Sequence, residues 1–300
     1  MRRKINRREL LGAAAAGIAG LAAAGATRTN AMATKKKLEP GKKLFLLRYD
    51  TEWNNARQMA GFLEKVVAVH RQEQIPATFF CKGAALDARE REFRAFYKEV
   101  KDDPLFDIQD HSYSHIGLGY ERGSDIETLR ADYEKSFATH ERIFGVRPIG
   151  ISRCGTSGKD GPRLSGFDAT EKSRAELDMV ASLGVKMINS FLTGIDGRKV
   201  FINYGKIGHP DIMGFVSGYS DTIWMLKLKY GEAMEYVFEK IKSGAARNEH
   251  MPLMLHDWVA WTRAPDKELT HVKTIVDLAR KLGYELVTHI ACLKNKALWA

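Results

Sequence analysis

The chain has 300 residues, of which 44% are apolar and 28% are charged. These values exclude a disordered or fibrous protein and permit either one α/β barrel or two smaller domains. Half of the formal charge of +10 comes from residues 1–33, which carry six Lys or Arg side chains and one Glu. The remaining 41 basic and 36 acidic side chains show no basic stripe interleaved with aromatic residues. We therefore expect no nucleic-acid partner.

Residues 1–33 predict an export signal and not a part of the fold. A basic start that contains Arg7 and Arg8 precedes an Ala/Gly-rich run, and small-x-small sites follow at 24–26 and 31–33. The order of residues 6–11 resembles a bacterial twin-arginine signal, which predicts a periplasmic or extracellular location. Residues 34–42 read as a basic tail, and the sequence leaves open whether the signal is cleaved or kept as an anchor. No later apolar run approaches the roughly 20 residues of a membrane span, so we expect no stable span once the signal is removed. The oligomeric state is left open.

From residue 43 onward, short β-rich runs alternate with longer helical patterns. Strands are predicted at 44–49, 77–81, 106–109, 148–152, 186–190, 212–216, 252–256 and 285–288. Helices are predicted near 55–73, 86–101, 125–143, 169–183, 230–244 and 266–282. Most of the strands are continuously apolar, which is typical of strands covered on both faces. Seven or eight such units predict a single α/β domain at 43–300, built as a distorted parallel barrel.

Three cysteines, Cys81, Cys154 and Cys292, are too few and too scattered for a disulfide framework. We expect buried free thiols, and one disulfide in an oxidising compartment remains an alternative.

Acidic and histidine side chains occur where three apolar strands end. Asp50 and Glu52 follow the first strand, His111 and His115 follow the third, and His256 ends a later one. In parallel α/β folds, this edge of the sheet carries the active site. Two histidines four residues apart can bind one cation, although such a pair alone is more often a solvated or satisfied pair.

With one carboxylate, the two histidines would make a three-ligand set that leaves positions open for water and substrate, as in catalytic zinc sites. We therefore expect a divalent metal ion, zinc or a similar ion such as cobalt. A bound cation activates water and polarises an amide carbonyl, while a carboxylate accepts a proton and a histidine protonates the departing nitrogen. The pattern predicts a metal-dependent hydrolase.

Five segments occur in an order that resembles the polysaccharide deacetylase family, the NodB-homology or carbohydrate esterase family 4 group. They are residues 46–52 (Leu-Leu-Arg-Tyr-Asp-Thr-Glu), 77–80 (Ala-Thr-Phe-Phe), 111–115 (His-Ser-Tyr-Ser-His), 253–256 (Leu-Met-Leu-His) and 283–288 (Gly-Tyr-Glu-Leu-Val-Thr). The resemblance spans roughly residues 43–290, and its most specific part is the His-Ser-x-x-His element. It implies a distorted (β/α) barrel of seven or so units and an enzyme that removes N-acetyl groups from sugar polymers. Related members cut other C–N bonds of small amides.

The resemblance also implies roles for particular residues. His111 and His115 match the metal-binding histidines, and Asp50 and Glu52 match the acidic pair, with Asp50 as base and Glu52 as ligand or the reverse. His256 matches the histidine that protonates the departing amine. Two further assignments are Arg153 as the arginine that holds the base and Asp221 as the acid that tunes His256.

This sequence departs from the family pattern in two places. Its acids are spaced Asp-x-Glu, and the usual Arg-x-Pro-Tyr element is replaced by Arg-Cys-Gly-Thr at 153–156, which puts the substrate groove in question more than the metal. Tyr113, Trp224 and Trp258 lie beside the proposed site and are candidates for stacking on sugar rings, with core packing as the alternative. The preferred substrate is a cell-wall or extracellular N-acetylated polysaccharide. A small-amide hydrolase and a non-catalytic carbohydrate-binding relative are the alternatives.

Overall fold

The computed structural model describes residues 41–116, 125–154, 167, 169–191 and 199–299. The predicted export signal at 1–33 lies outside the described residues, as does nearly all of the predicted basic tail at 34–42. Within the described ranges, no helix is long and apolar enough to cross a membrane. The three cysteines are buried free thiols, as expected.

Nine strands form one sheet. They are β1 (Leu44–Thr51), β2 (Ala77–Cys81), β3 (Phe106–Asp110), β4 (Gly150–Ser152), β5 (Met187–Phe191), β6 (Phe201–Asn203), β7 (Met213–Ser217), β8 (Met251–His256) and β9 (Glu285–Val287). Their order is β6-β7-β5-β4-β3-β2-β1-β8, and β9 also pairs with β1. Only the pair of β6 and β7 is antiparallel, and all other pairs are parallel. The eight predicted strands are all present, and β6 was not predicted.

The sheet curves until its two sides nearly meet. Gly218, just after β7, forms an isolated parallel bridge with Leu253 of β8, but these two strands make no continuous ladder. The fold is therefore a mixed α/β domain with a sheet that is not closed, and the predicted distorted-barrel class is confirmed.

Eleven α-helices are described, and most of them cover the outside of the sheet. They are Ala56–Met59, Phe62–Gln72, Gly83–Ala88, Glu90–Val100, Ile126–Phe144, Arg174–Ser182, Asp221–Trp224, Tyr230–Ala246, Asp257–Thr262, Thr270–Lys281 and His289–Leu293, with 3₁₀ turns at Glu171–Ser173, Gly205–Ile207 and Lys296–Leu298. The predicted helix 55–73 is interrupted at Gly61, whose φ of +82° leaves the helical region. The predicted helix 86–101 is likewise two helices, with Arg89 between them.

The side chains of β1 alternate between two environments, because successive residues of a strand point to opposite faces. Phe45, Leu47 and Tyr49 belong to the large cluster that the helices cover. Leu44 and Leu46 belong to a separate apolar cluster that also includes strand residues from β2, β5 and β7. Arg48 and Asp50 continue this second, interior face toward the end of β1. The interior face of β1 is thus apolar at the start of the strand and charged where the strand ends.

Candidate active site

The strands bring the predicted acids and histidines to one edge of the sheet. Asp50 is paired in register with His256 on β8, and His111 follows β3, the second strand away on the other side. Neighbouring strands therefore deliver carboxylate and imidazole groups to the same end of the barrel.

The loop at 111–115 is held in an unusual backbone conformation by polar contacts. Ser112 and His115 have φ values of +56° and +65°, a region that non-glycine residues seldom adopt. Asp132 accepts hydrogen bonds from the backbone N–H groups of Tyr113 at 2.8 Å and Ser114 at 3.2 Å. The Asp110 carboxylate accepts from the Ser112 N–H at 2.7 Å. These acceptors compensate for the strained backbone and direct both imidazoles toward the end of β1.

Gly83 allows the same loop to lie against the start of the helix Gly83–Ala88. A Cβ atom at this position would lie 2.6 Å from the Tyr113 ring and 3.1 Å from the Tyr113 Cα. The N–H groups of Gly83 and Ala84 donate to the carbonyls of Ser112 and Tyr113 at 2.9 and 3.0 Å. A side chain at position 83 would therefore displace the histidine loop.

The imidazoles of His111 and His115 lie close to the predicted acidic pair, Asp50 and Glu52. The Glu52 Oε2 atom lies 2.9 Å from His115 Nε2 and 3.5 Å from His111 Nε2. The Asp50 Oδ2 atom lies 3.7 Å from His111 Nε2. The His111 ring is fully buried, whereas the side chains of His115 and Glu52 are 30% and 14% exposed. One side of the cluster is therefore accessible from solvent.

The tautomer of His111 follows from its other ring nitrogen. Nδ1 lies 3.3 Å from the Ser152 carbonyl and contacts the Ser152 hydroxyl. Because a carbonyl can only accept, Nδ1 carries a proton, and Nε2 offers its lone pair to a cation whenever the ring is neutral. A second group that fixes the tautomer in this way is typical of metal-binding histidines.

Several buried polar atoms in this cluster have no hydrogen-bond partner among the described residues. They are Asp50 Oδ1, Glu52 Oε2 and His111 Nε2. Buried polar atoms are otherwise almost always satisfied, so the unpaired Glu52 Oε2 and His111 Nε2, 3.5 Å apart, fit part of the donor set of a divalent cation. His111, His115 and Cys154 also have ligand atoms within 4.8 Å of one another. The Cys154 thiol, however, already contacts the Ser112 hydroxyl at 3.2 Å and the His111 carbonyl at 3.5 Å, so the shorter Glu52 distances favour Glu52 as the third donor.

The charges in the cluster favour a cation. Burial alone would raise the pKa of Glu52, but the adjacent imidazoles of His111 and His115 lower it well below its usual value. Burial would lower the pKa of His111, but Cys154 and Asp50 raise it well above 6.5. The pocket therefore stabilises positive charge next to ionised carboxylates.

His256 forms a buried pair with Asp221. Its Nδ1 lies 2.6 Å from Asp221 Oδ1, and its backbone N–H donates to Asp221 Oδ2 at 2.7 Å. Burial would lower the pKa of His256, but the Asp221 carboxylate and, more weakly, Glu52 and Asp50 raise it to about 9. Burial also raises the pKa of Asp221, yet Asp221 accepts both bonds and so acts as the carboxylate of the pair. The free Nε2 of His256 lies 4.0 Å from Asp50 Oδ2.

The guanidinium that contacts Asp50 is that of Arg48, which the sequence analysis did not select. Arg48 Nη2 donates to Asp50 Oδ2 at 2.7 Å, and both side chains are buried. Arg153 is buried at the end of β4, and its charge acts on the Tyr133 hydroxyl. The role given to Arg153 stays a prediction. Arg48 could have been found from the two-residue strand period, which puts positions 48 and 50 on one face.

Asp257 is a second residue that the sequence analysis missed. Its Oδ1 accepts from the backbone N–H groups of Glu52 at 3.2 Å and Trp258 at 2.8 Å. Its Oδ2 accepts from Arg89 at 2.9 Å, and the same Arg89 nitrogen donates to the Trp53 carbonyl at 3.1 Å. This buried ion pair braces the segment that carries Glu52.

The three aromatic candidates have different environments. Trp258 is half-buried, its Nε1 donates to Glu52 Oε1 at 3.0 Å, and its ring lies 5.1 Å from that of Trp53. The Tyr113 hydroxyl donates to Asp87 at 2.8 Å, and Lys135 covers its ring. Trp224 is fully buried in the core, so no face of its indole is available to a sugar. A surface cavity of about 350 Å³ beside Glu52 is lined by Trp53, Gln58, Trp258, Thr262 and Arg263.

These features define an α/β protein that gathers two acids and three histidines at the carboxyl end of a distorted parallel barrel. The polysaccharide deacetylase family model matches residues 37–157, which include both acids and the histidine loop. The resemblance of the chain to this family is therefore confirmed. A comparison with curated protein sequences gives no match.

Solved structures show the same fold at low sequence identity. A Mycobacterium smegmatis protein assigned as a polysaccharide deacetylase has 11% identity and a TM-score of 0.64, over 86% of this chain and 92% of its own. A family 4 acetyl xylan esterase from Clostridium thermocellum in complex with a cobalt ion has 14% identity and a TM-score of 0.51, over 85% of this chain and 92% of its own. A mutant of a Bacillus anthracis CE4 family pseudoenzyme, with restored enzymatic activity, has 13% identity and a TM-score of 0.52, over 85% of this chain and 69% of its own.

Proposed function

We propose that this protein is a metal-dependent hydrolase that removes N-acetyl groups from a cell-wall or extracellular polysaccharide. The observation that carries the proposal is the position of Glu52 Oε2, 2.9 Å from His115 Nε2 and 3.5 Å from His111 Nε2. Glu52 Oε2 and His111 Nε2 are both buried and unpaired, and they lie beside a histidine with a raised pKa. His111, His115 and Glu52 would hold the cation, with Asp50 as the alternative carboxylate ligand. Zinc suits two imidazoles and one carboxylate, and cobalt is a close substitute.

The residues around this centre supply the two proton transfers that amide hydrolysis requires. When bound, a divalent cation supplies Lewis acidity to the carbonyl and lowers the pKa of water. Asp50 can accept the proton of the attacking water, since its Oδ1 is unpaired while Arg48 holds its Oδ2. His256, with its pKa raised to about 9, is protonated at neutral pH and can donate that proton to the departing nitrogen.

A polymeric substrate is favoured by the aromatic surface next to Glu52. The tilted pair of Trp53 and Trp258 borders the surface cavity, and such rings can pack on the apolar faces of sugars. Of the three aromatic candidates from the sequence, only Trp258 lines this cavity. The comparison with an acetyl xylan esterase makes an O-acetyl ester a substrate to be tested in parallel. Residues 1–33 support export through a twin-arginine-type signal to the periplasm or beyond.

The test is acetate release by the purified full-length protein from N-acetylated peptidoglycan fragments, N-acetylglucosamine oligomers, acetylated xylan and small N-acetyl amides. We expect release from an N-acetylated polymer that stops with a chelator and returns with Zn²⁺ or Co²⁺. His111→Ala should abolish release, whereas His209→Ala should not, because His209 pairs with Asp178 away from the site.

The other outcomes decide between the alternatives. Release only from small amides would replace the proposal with a small-amide hydrolase. Metal binding without release from any substrate would favour a non-catalytic carbohydrate-binding protein, an outcome with precedent in the pseudoenzyme among the similar structures. Activity that survives His111→Ala would refute the assignment.

A further inference from the structure

A series of buried polar side chains runs through the barrel interior, from the candidate site to the C-terminal helix His289–Leu293. We call it the interior series, and its members are Arg48, Asn189, His289, Thr78 and Asp107. All five are at most 5% exposed. Burying this many polar groups is costly unless each is paired, so the series calls for an explanation beyond packing.

The hydrogen bonds of the interior series all run in one direction. Arg48 has only donors, so it donates to Asn189 Oδ1. The Asn189 amide N–H then donates to His289 Nε2 at 2.8 Å. Because Nε2 accepts, His289 must carry its proton on Nδ1, which donates to Thr78 Oγ1 at 3.0 Å.

The series ends on a carboxylate. The Thr78 hydroxyl donates to Asp107 Oδ2 at 3.0 Å, and the Ile290 N–H donates to the same oxygen at 3.1 Å. Gln109 donates to Asp107 Oδ1 at 2.6 Å. Every donor in the series is therefore directed away from Arg48, and an acceptor in place of the guanidinium would leave the Asn189 oxygen unpaired.

The other end of Arg48 contacts the proposed catalytic base. Nη2 binds Asp50 Oδ2 at 2.7 Å, while Asp50 Oδ1 remains unpaired. One carboxylate oxygen is thus fixed and the other is left for the reacting water. A misplacement of a catalytic group by about 1 Å can cost about 100-fold in rate, so the rigidity of this contact matters for turnover.

We propose that Arg48 is the positioning residue of Asp50 and that Asn189 and His289 hold Arg48 in place. This inference rests on the proposed hydrolase function. It assigns a role in catalysis to His289, although this residue belongs to the last helices of the chain and touches none of the proposed reacting groups.

The test compares kinetics of variants that keep or remove the hydrogen bonds. His289→Leu removes both ring bonds and should lower kcat by about 10- to 100-fold, the usual range for a supporting residue, with KM and bound metal unchanged. His289→Gln can accept from Asn189 and donate to Thr78, and it should recover most of that loss. Arg48→Met should lower kcat by about 100-fold or more. Arg48→Lys should recover only part of that loss in kcat, because an ammonium is a point charge and lacks the planar, two-pronged donor geometry of a guanidinium.

His70→Leu is the matched control for a purely structural effect. His70 is another fully buried histidine with two hydrogen bonds, to Tyr49 at 3.1 Å and Ile75 at 2.8 Å, but it lies in the outer, helix-covered layer. This variant should lower the melting temperature without changing kcat of the folded protein. If His289→Leu and His70→Leu affect kcat equally, or if His289→Gln gives no recovery, the inference is wrong.

A second readout does not depend on activity. ¹⁵N NMR of the wild-type protein should show His289 as the neutral tautomer with its proton on Nδ1, and Arg48→Met should perturb that signal. A proton on Nε2 would refute the interior series. Absence of acetate release by the wild type would instead refute the proposed function, so the two failures are distinguishable.

Discussion

The pair of Asp221 and His256 gives a quantitative prediction about pH. Asp221→Asn keeps the size of the side chain and an oxygen acceptor for the His256 ring, but it removes the charge that raises the pKa of His256 to about 9. Without that charge, the pKa of His256 should return to about its ordinary value of 6.5. A fall of about 2.5 pH units corresponds to about 3 kcal/mol of lost stabilisation of the imidazolium.

The expected loss of activity follows from the protonated fraction of His256. At pH 8 this fraction is about 90% for a pKa of about 9 and about 3% for a pKa of about 6.5, so the general acid is depleted about 30-fold in the variant. At pH 6 both forms are largely protonated, and the activities should differ by less than about twofold from this cause. Catalysis by the variant should therefore weaken as the pH rises.

The assay is kcat/KM for acetate release by the wild type and Asp221→Asn between pH 5.5 and 10. Asp178→Asn is the control, because Asp178 pairs with His209 at 2.8 Å on the surface and should leave the profile unchanged. A variant that loses the same factor at pH 6 and pH 8 would refute the reasoning, since Asp221 would then orient His256 without setting its protonation.

Three further predictions concern the site and the fold. Gly83→Ala should cost about 1–3 kcal/mol of stability and weaken metal binding, since the added Cβ would overlap Tyr113. The control Gly231→Ala, with no atom within 4 Å of the added Cβ, should be neutral or slightly stabilising. Equal losses of stability for the two variants in urea denaturation would contradict this prediction. Ser152→Ala should weaken the affinity for Zn²⁺ by about 10- to 100-fold in a competition titration, because the Ser152 hydroxyl helps to fix the His111 tautomer. An unchanged affinity would show that the hydroxyl does not have this role. Burial lowers the pKa of His70 to about 4, so the folded state binds fewer protons at this residue than the unfolded state does. His70 should therefore contribute a fall in stability of about 1.4 kcal/mol per pH unit as the pH drops from about 6.5 to 4, in addition to the contributions of the other buried histidines. His70→Gln should reduce the total slope by that amount, and an unchanged slope would show that the imidazole is not buried neutral.

The sequence alone was sufficient for the fold class and for most of the cluster at the strand ends. Continuous apolar runs at the right spacing predict buried parallel strands, and residues that immediately follow such strands must lie at one edge of the sheet. For that reason Glu52, His111 and His256 could be grouped from the sequence alone. The short strand β6 and the short helices Asp221–Trp224, Asp257–Thr262 and His289–Leu293 escaped prediction, because such segments are too short to show a period.

Contacts between distant parts of the chain could be decided only by the tertiary structure. Asp221 could be proposed only from the family resemblance, and the structure alone places it 2.6 Å from His256, 35 residues away. Arg48 contacts both its strand neighbour Asp50 and Asn189, 141 residues later, and no local pattern encodes the second contact. Likewise, the indole of Trp224 is buried while that of Trp258 faces Glu52, although both follow strands that end at the same edge. Local sequence fixes which face of a strand a side chain occupies, but the curvature of the sheet determines which groups meet across the barrel.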